Sequence, residues 1–60
     1  MIEYDLTIYI EDRDYITLSV KYEKEYELKM DVTNIGTNGV VHQNKYYPPH
    51  RIKEIEIKKK

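Results

Sequence analysis

The chain has 60 residues, and its ten Lys and Arg against eleven Asp and Glu leave a net charge of −1. This length excludes an enzyme built from two lobes around a cleft. The absence of cysteine excludes disulfides, thiolate zinc sites and thiol nucleophiles. No apolar run approaches the roughly 20 residues of a membrane helix and none resembles an export signal, so we expect a cytoplasmic protein with no membrane partner.

Residues 2–10 alternate between two sets of side chains, one of them wholly apolar and the other mostly polar. One side of this segment carries Ile2, Tyr4, Leu6, Ile8 and Ile10. A period of two is typical of a strand with one buried face. The alternation returns at residues 16–22 and again at 26–32, each time after a short polar segment. The first half of the chain therefore predicts a three-stranded antiparallel meander.

The apolar residues of these three segments also predict how the strands pair. If Ile10 lies opposite Ile16, and Tyr22 opposite Tyr26, every apolar side chain falls on one face of the sheet. Tyr4 then joins the two tyrosines in one inner layer. A slip of one residue would move the whole apolar set into water, so we expect the register to be held firmly.

Turn-forming residues interrupt the alternation between residues 33 and 39. Asn38-Gly39 favours a tight turn with positive φ. The spacing of Gly36 and Gly39 is also that of the Gly-x-x-Gly loop with which KH domains clamp a nucleic-acid backbone. Because that loop lies between two helices, and strands are predicted on both sides here, we interpret the segment as a hairpin turn. A fourth strand is predicted to begin at Val40 or Val41.

A further turn and a short strand follow the fourth strand. Residues 43–45 are predicted to turn the chain, and Tyr46 and Tyr47 to form the strand. Pro48-Pro49 ends it, because proline cannot donate a hydrogen bond to a ladder.

The spacing of the isoleucines changes near the end of the chain. Ile52 and Ile55 lie three residues apart, whereas Ile55 and Ile57 lie two apart, which is typical of a 3₁₀ turn that runs into a strand. Residues 58–60 are predicted to be a frayed basic tail. Together the elements predict one all-β domain over residues 1–60. It is a small, strongly bent antiparallel meander or barrel of five to six strands, with a single 3₁₀ turn before the last strand.

Residues 47–55, with the sequence Tyr-Pro-Pro-His-Arg-Ile-Lys-Glu-Ile, resemble the second motif of the Hfq-type Sm proteins. His50, Ile52 and Ile55 match that motif, whereas Pro49 and Arg51 stand where the family has Lys and Ala. In the family this segment crosses from the fourth strand to the fifth, and Src-homology-3-like barrels place a 3₁₀ turn at the same point. The resemblance implies a small Sm-like or Src-homology-3-like barrel, ring assembly and RNA binding.

The polar residues form no catalytic or metal-binding pattern. His42 and His50 are the only histidines, and they lack the close spacing of a ligand pair. Ser19 is the only serine and has no base partner encoded near it. Most carboxylates fall in the polar phase of predicted strands, where solubility explains them. We therefore predict no enzyme activity, no metal site and no cofactor.

Seven tyrosines are the most unusual feature of the composition. Tyr9 and Tyr15 fall in the outward phase of their strands and are predicted to form an oligomer interface. The predicted binding surface surrounds the Pro-Pro turn and consists of Tyr46, Tyr47, Pro49, His50, Arg51 and Lys53. Exposed Tyr and Arg are enriched at protein interfaces, but the same residues could stack bases and neutralise phosphates. The third interpretation is that the rings only cover a thin core.

These observations favour a non-enzymatic binding module that forms a homo-oligomer and binds a protein partner. A phage or mobile-element accessory protein that inhibits a host factor is an example of such a module. The alternative is an Sm-like protein that binds RNA or a nucleotide. Because exposed Tyr and Arg are enriched at protein interfaces, the protein partner is the first hypothesis. A net charge near zero gives no overall field to attract a polyanion, so nucleic-acid binding would have to rest on a local patch.

Overall fold

The computed structural model describes the backbone of residues 1–60 and every side chain except that of Asp12. Two long strands come first, β1 (Ile2–Ile10) and β2 (Asp14–Tyr22), and they are followed by the helix α1 (Glu25–Asn38). Three further strands complete the chain: β3 (Val40–His42), β4 (Lys45–Tyr47) and β5 (Ile52–Lys59). Two 3₁₀ turns, Glu11–Arg13 and Pro49–Arg51, precede β2 and β5.

The five strands form two separate antiparallel sheets. The larger sheet has the order β2-β1-β5, so β1 lies in the centre, and β3 and β4 form a hairpin of their own. Each face of the larger sheet collects every second residue of its strands. We call the face that packs against α1 the inner face and the opposite one the outer face.

The inner face of β1 and β2 holds the core. Its buried side chains are Tyr4, Leu6, Ile8, Ile10, Ile16 and Tyr22. Leu6 and Ile8, at the centre of the sheet, are almost wholly removed from solvent, and burial of each contributes about 1.5–3 kcal/mol. The structure thus confirms that the even-numbered apolar side chains of the first two strands face the interior, whereas the odd-numbered side chains face outward.

The pairing of β1 with β2 differs from the predicted register by two residues. Ile16 lies opposite Ile8 instead of Ile10, and Ile10 lies opposite Asp14. The loop between them is reduced to the three residues Glu11–Arg13, because Arg13 adopts a positive φ of 66° that closes a three-residue hairpin loop. A shift of two residues keeps each side chain on its face, so the core residues were predicted correctly although their partners were not.

The third predicted strand is wrong, since residues 26–32 lie within α1. Leu28, Val32 and Ile35 have the spacing i, i+4, i+7 of one helix face, while Leu28 and Val32 also fit the alternation of a strand. Leu28 packs against the buried Tyr4, Leu6 and Tyr22 cluster, and Ile35 against the cluster around Ile8. A third strand would have widened the apolar face, whereas a helix covers it. Tyr26, predicted to join the inner tyrosine layer, is exposed on α1.

Local interactions at both ends stabilise α1. Glu25 and Glu27 lie in the first turn, where negative charge is favourable for the helix dipole. The Glu27 carboxylate also accepts a hydrogen bond from the backbone N–H of Lys24 at 3.3 Å, as in a capping box. At the other end, the N–H of Gly39 donates to the Ile35 carbonyl at 2.9 Å with a φ of 85°. Asn38-Gly39 therefore ends a helix and does not form the predicted hairpin turn.

A hydrogen bond connects β2 to α1. The Tyr22 hydroxyl donates to Oδ2 of Asp31 at 2.6 Å. Burial of the ring and this bond raise the pKa of the Tyr22 hydroxyl above its ordinary value. Because Asp31 belongs to α1 and Tyr22 to β2, the bond fixes how the helix lies across the inner face.

The fold is mainly β, with antiparallel sheets and five strands as predicted, but it is neither all-β nor a closed barrel. The barrel required residues 26–32 to extend the meander beyond β2. In the structure that segment covers the sheet as a helix, and β5 instead pairs with the free edge of β1. The larger sheet therefore ends in two edge strands, β2 and β5.

The last third of the chain follows the predicted order. A tight turn at Gln43 and Asn44, both with positive φ, joins β3 to β4 as expected for a two-residue hairpin loop. The 3₁₀ turn predicted before the last strand is confirmed at Pro49–Arg51. The sequence predicts a frayed tail at residues 58–60, but Lys58 and Lys59 belong to β5. Lys60 donates its N–H to the Glu3 carbonyl at 3.0 Å.

A β-bulge explains the irregular isoleucine spacing. Ile52 lies opposite Ile10, whereas Glu54 lies opposite Tyr9, so Lys53 is an extra residue in β5. An extra residue reverses the alternation of faces. Ile52 and Ile55 can therefore both pack against the cluster around Ile8 although they are three residues apart.

The two glycines provide a matched test of the helix end. Gly39→Ala is expected to lower the free energy of unfolding by more than about 1 kcal/mol, because its positive φ disfavours a Cβ that would also collide with the Tyr47 carbonyl oxygen. Gly36→Ala is expected to raise it by about 0.5–1 kcal/mol, since its added methyl meets no atom within 4 Å. Urea unfolding followed by circular dichroism measures both changes. If both substitutions changed the free energy of unfolding in the same direction, the result would contradict a helix that continues through Gly36 and ends at Gly39.

Candidate functional site

The residues predicted to form a binding surface lie on three consecutive elements that follow α1. Tyr46 and Tyr47 belong to β4, Pro49–Arg51 forms the 3₁₀ turn, and Lys53 is the bulged residue of β5. The 3₁₀ turn contacts α1. This segment connects the fourth strand to the fifth, and these two strands belong to different sheets, because β4 pairs with β3 and β5 with β1.

The two neighbouring tyrosines point in different directions, as successive residues of a strand do. Tyr47 is half-buried and packs against the cluster of Ile8, Ile10 and Ile16, so its ring supports the fold. Tyr46 is 60% exposed, and its hydroxyl donates to the backbone carbonyl of Asn38 at 2.9 Å. That bond ties the hairpin to the end of α1 while leaving most of the ring in solvent.

Val41 belongs to the same surface and was missed by the sequence analysis. It lies directly opposite Tyr46 in the hairpin and is 69% exposed. The turn contains only Gln43 and Asn44, whereas the predicted turn over residues 43–45 would have placed His42 opposite Tyr46. Val41 and Tyr46 form an exposed apolar pair, which we call the hairpin pair.

The 3₁₀ turn presents its residues unequally. His50 is exposed, whereas Pro49 and Arg51 are half-buried. The Arg51 N–H donates to the Pro48 carbonyl at 3.0 Å, which closes the turn. Lys53 is exposed, because the bulge takes it out of the regular ladder. His50 and Lys53 are therefore the most exposed polar residues of the 3₁₀ turn and the bulge.

Charge is distributed unevenly along the chain. Residues 39–53 contain Lys45, Arg51 and Lys53 but neither Asp nor Glu, whereas residues 1–38 contain nine acidic and four basic residues. The segment that forms the hairpin and the 3₁₀ turn is therefore the basic part of a protein whose net charge is slightly negative. A locally basic segment can attract anionic groups even when the net charge of the whole protein is close to zero.

The structure places Tyr9 and Tyr15 on the outer face, as predicted. They lie opposite each other in the β1–β2 ladder, with ring centroids 6.4 Å apart and the rings tilted by 46°. Tyr15 is 63% exposed and Tyr9 is half-buried. The two rings form one aromatic surface at the end of the sheet next to the Glu11–Arg13 turn.

Several carboxylates of the outer face are engaged in cross-strand pairs. Glu3 lies 3.6 Å from the Lys21 ammonium, and Asp5 accepts a hydrogen bond from Ser19 at 3.0 Å and lies 3.4 Å from the Lys60 ammonium. Such pairs stabilise a sheet modestly. Among the described residues, no group of three His, Asp or Glu side chains is arranged to hold a metal ion.

Comparison with protein-family models, curated proteins and solved structures finds no match to this chain. Within the described part of the chain, no helix has the length and apolar character needed to span a membrane.

Proposed function

We propose that this protein is a non-enzymatic cytoplasmic binding module that self-associates and binds a protein partner, as an inhibitory accessory protein of a phage or mobile element would. The observation that carries the proposal is the hairpin pair. Val41 and Tyr46 are held on a short hairpin outside the main sheet, with most of their surface in solvent. Exposed apolar and aromatic residues on a rigid element are typical of interface anchors.

The charges around the hairpin pair indicate the chemistry of the partner. Lys45 precedes Tyr46 in β4, and His50 and Lys53 follow on the next two elements, in a segment without carboxylates. An acidic protein surface with a central apolar patch complements this arrangement. The hairpin pair would supply the buried centre of the contact, and Lys45, His50 and Lys53 its polar rim.

An Sm-like nucleic-acid binder is the second candidate. The same acid-free segment favours it, because Tyr46 could stack on a base while Lys45, His50 and Lys53 approach phosphates. The two candidates differ in their salt dependence. Phosphate contacts release counterions, so nucleic-acid binding falls steeply with salt, whereas a contact centred on the hairpin pair retains its apolar contribution.

Capture of partners from a bacterial lysate, compared between matched variants, tests the binding surface. Val41→Ser and Lys53→Glu are each expected to reduce capture of the main partner about tenfold, because they remove an apolar anchor and reverse a rim charge. Met30→Ser and Lys29→Glu make the same changes at exposed positions of α1 and should leave capture unchanged. If the α1 variants reduced capture as much as the hairpin variants do, the result would contradict a binding surface on the hairpin. A captured partner that is lost after nuclease treatment would support the Sm-like candidate instead.

Self-association through the aromatic surface has its own test. Tyr15→Ala is expected to lower the average mass seen in sedimentation equilibrium, because Tyr15 supplies most of the exposed ring area of that surface. Tyr26→Ala removes an equally exposed tyrosine from α1 and serves as the control. An unchanged mass in Tyr15→Ala would remove Tyr9 and Tyr15 from the proposed interface.

A further inference from the structure

We propose that β5 pairs with β5 of a second copy of this chain, so that two larger sheets join into one antiparallel sheet of six strands. β5 is an edge strand whose only described partner is β1. The backbone N–H and C=O groups on its far side are therefore available to a further strand. Strand addition at such an edge is a common mode of recognition.

The exposure of Ile57 indicates that this edge is incompletely covered. Ile57 lies on the inner face opposite the buried Leu6, yet it is 46% exposed and lines an open groove between α1 and β5 with Tyr4, Leu28 and Val32. At the other edge, the apolar inner-face residues of β2 are buried or half-buried beneath α1. A strand added to β5 would cover the one apolar inner-face side chain that the described part of the chain leaves exposed.

The charges of β5 complement those of a second β5. The outer face of the strand carries Glu54, Glu56 and Lys58, in this order. When Ile57 lies opposite Ile57 of the second copy, antiparallel pairing places Glu56 opposite Lys58 of the second copy, and the two-fold axis repeats this pair. Opposite charges in directly facing positions stabilise a sheet, whereas like charges destabilise it.

Other registers of the two β5 strands that also keep inner-face residues opposite inner-face residues are less favourable. A shift of two residues in one direction places Glu54 opposite Lys58 of the second copy but Glu56 opposite Glu56, and a shift in the other direction places Glu56 opposite Lys60 but Lys58 opposite Lys58. The register centred on Ile57 pairs Glu56 with Lys58 and Glu54 with Lys60 and contains no such like-charge pair. A shift of one residue would mix the inner and outer faces. The pattern of charges thus favours the register centred on Ile57, where the two isoleucines meet beside the groove.

This pairing goes beyond the proposed function because it uses neither the hairpin pair nor the aromatic surface of Tyr9 and Tyr15. The test is therefore made in the Tyr15→Ala background, where the aromatic surface no longer contributes to self-association. Failure of the aromatic surface and failure of the β5 pairing are then separate results.

A charge exchange across the interface provides the test, with sedimentation equilibrium as the measurement. Glu56→Lys alone and Lys58→Glu alone each place like charges opposite one another twice, so each is expected to raise the dissociation constant of the dimer about tenfold. An equimolar mixture of the two variants restores both opposite-charge pairs and is expected to recover the dimer.

The β2 edge offers matched controls. Thr17→Lys is the counterpart of Glu56→Lys, because Thr17 and Glu56 flank Thr7 from the two neighbouring strands. Lys21→Glu is the counterpart of Lys58→Glu, because each of these lysines lies opposite an acidic residue of β1. Both controls should retain the dimer. A monomer before any charge change, or a mixture that fails to recover the dimer, would overturn the proposal.

A second measurement does not depend on how the charge variants fold. Because the chain has no cysteine, Ile57→Cys introduces a single thiol, and mild oxidation should link two copies through it within minutes. Met30→Cys, at an exposed position on α1, should remain largely unlinked under the same conditions. Equal rates of linkage at the two positions would contradict the pairing centred on Ile57.

Discussion

The fold depends on covering one apolar face. β1 and β2 together present a continuous inner surface of aliphatic and tyrosine side chains, and a two-stranded hairpin cannot remove that surface from water by itself. α1 covers it with Leu28 and Ile35, while β5 widens the sheet on the other side of β1. A helix of 14 residues is about 21 Å long, enough to cover most of a nine-residue strand.

The position of the helix determines where the remaining elements lie. The Tyr22–Asp31 hydrogen bond fixes α1 over β2, and Gly39 ends it with a positive φ, so that the following hairpin packs beside the helix end. The Tyr46 hydroxyl bonds to Asn38 at that point. The exposed hairpin pair and the cationic 3₁₀ turn therefore owe their placement to the docking of α1.

Strict alternation in the sequence predicted the first two strands and their buried face, because a period of two places every second side chain on the same face of a strand. It failed for residues 26–32, where Leu28 and Val32 satisfy both a strand and a helix. The signal that separates the two is Ile35, which continues the helical spacing beyond the alternation, together with a glycine after Asn38.

The candidate site was predicted in part. The chain segment that surrounds the Pro-Pro turn was found from its composition, and the outward direction of Tyr9 and Tyr15 from their phase. Val41 was missed because its exposure depends on the hairpin register, and Tyr47 was assigned to the surface although it packs on the core. The bulge at Lys53 could not be foreseen, since it depends on how β5 aligns with β1.

Nuclear magnetic resonance of the isotopically labelled chain tests the covering of the sheet by a helix most directly. The structure predicts positive Cα secondary shifts throughout residues 25–38, with nuclear Overhauser contacts from the Tyr22 ring to Leu28 and Asp31. Negative Cα shifts at residues 26–32, accompanied by cross-strand contacts between Tyr22 and Tyr26, would show an extended third strand and contradict the account.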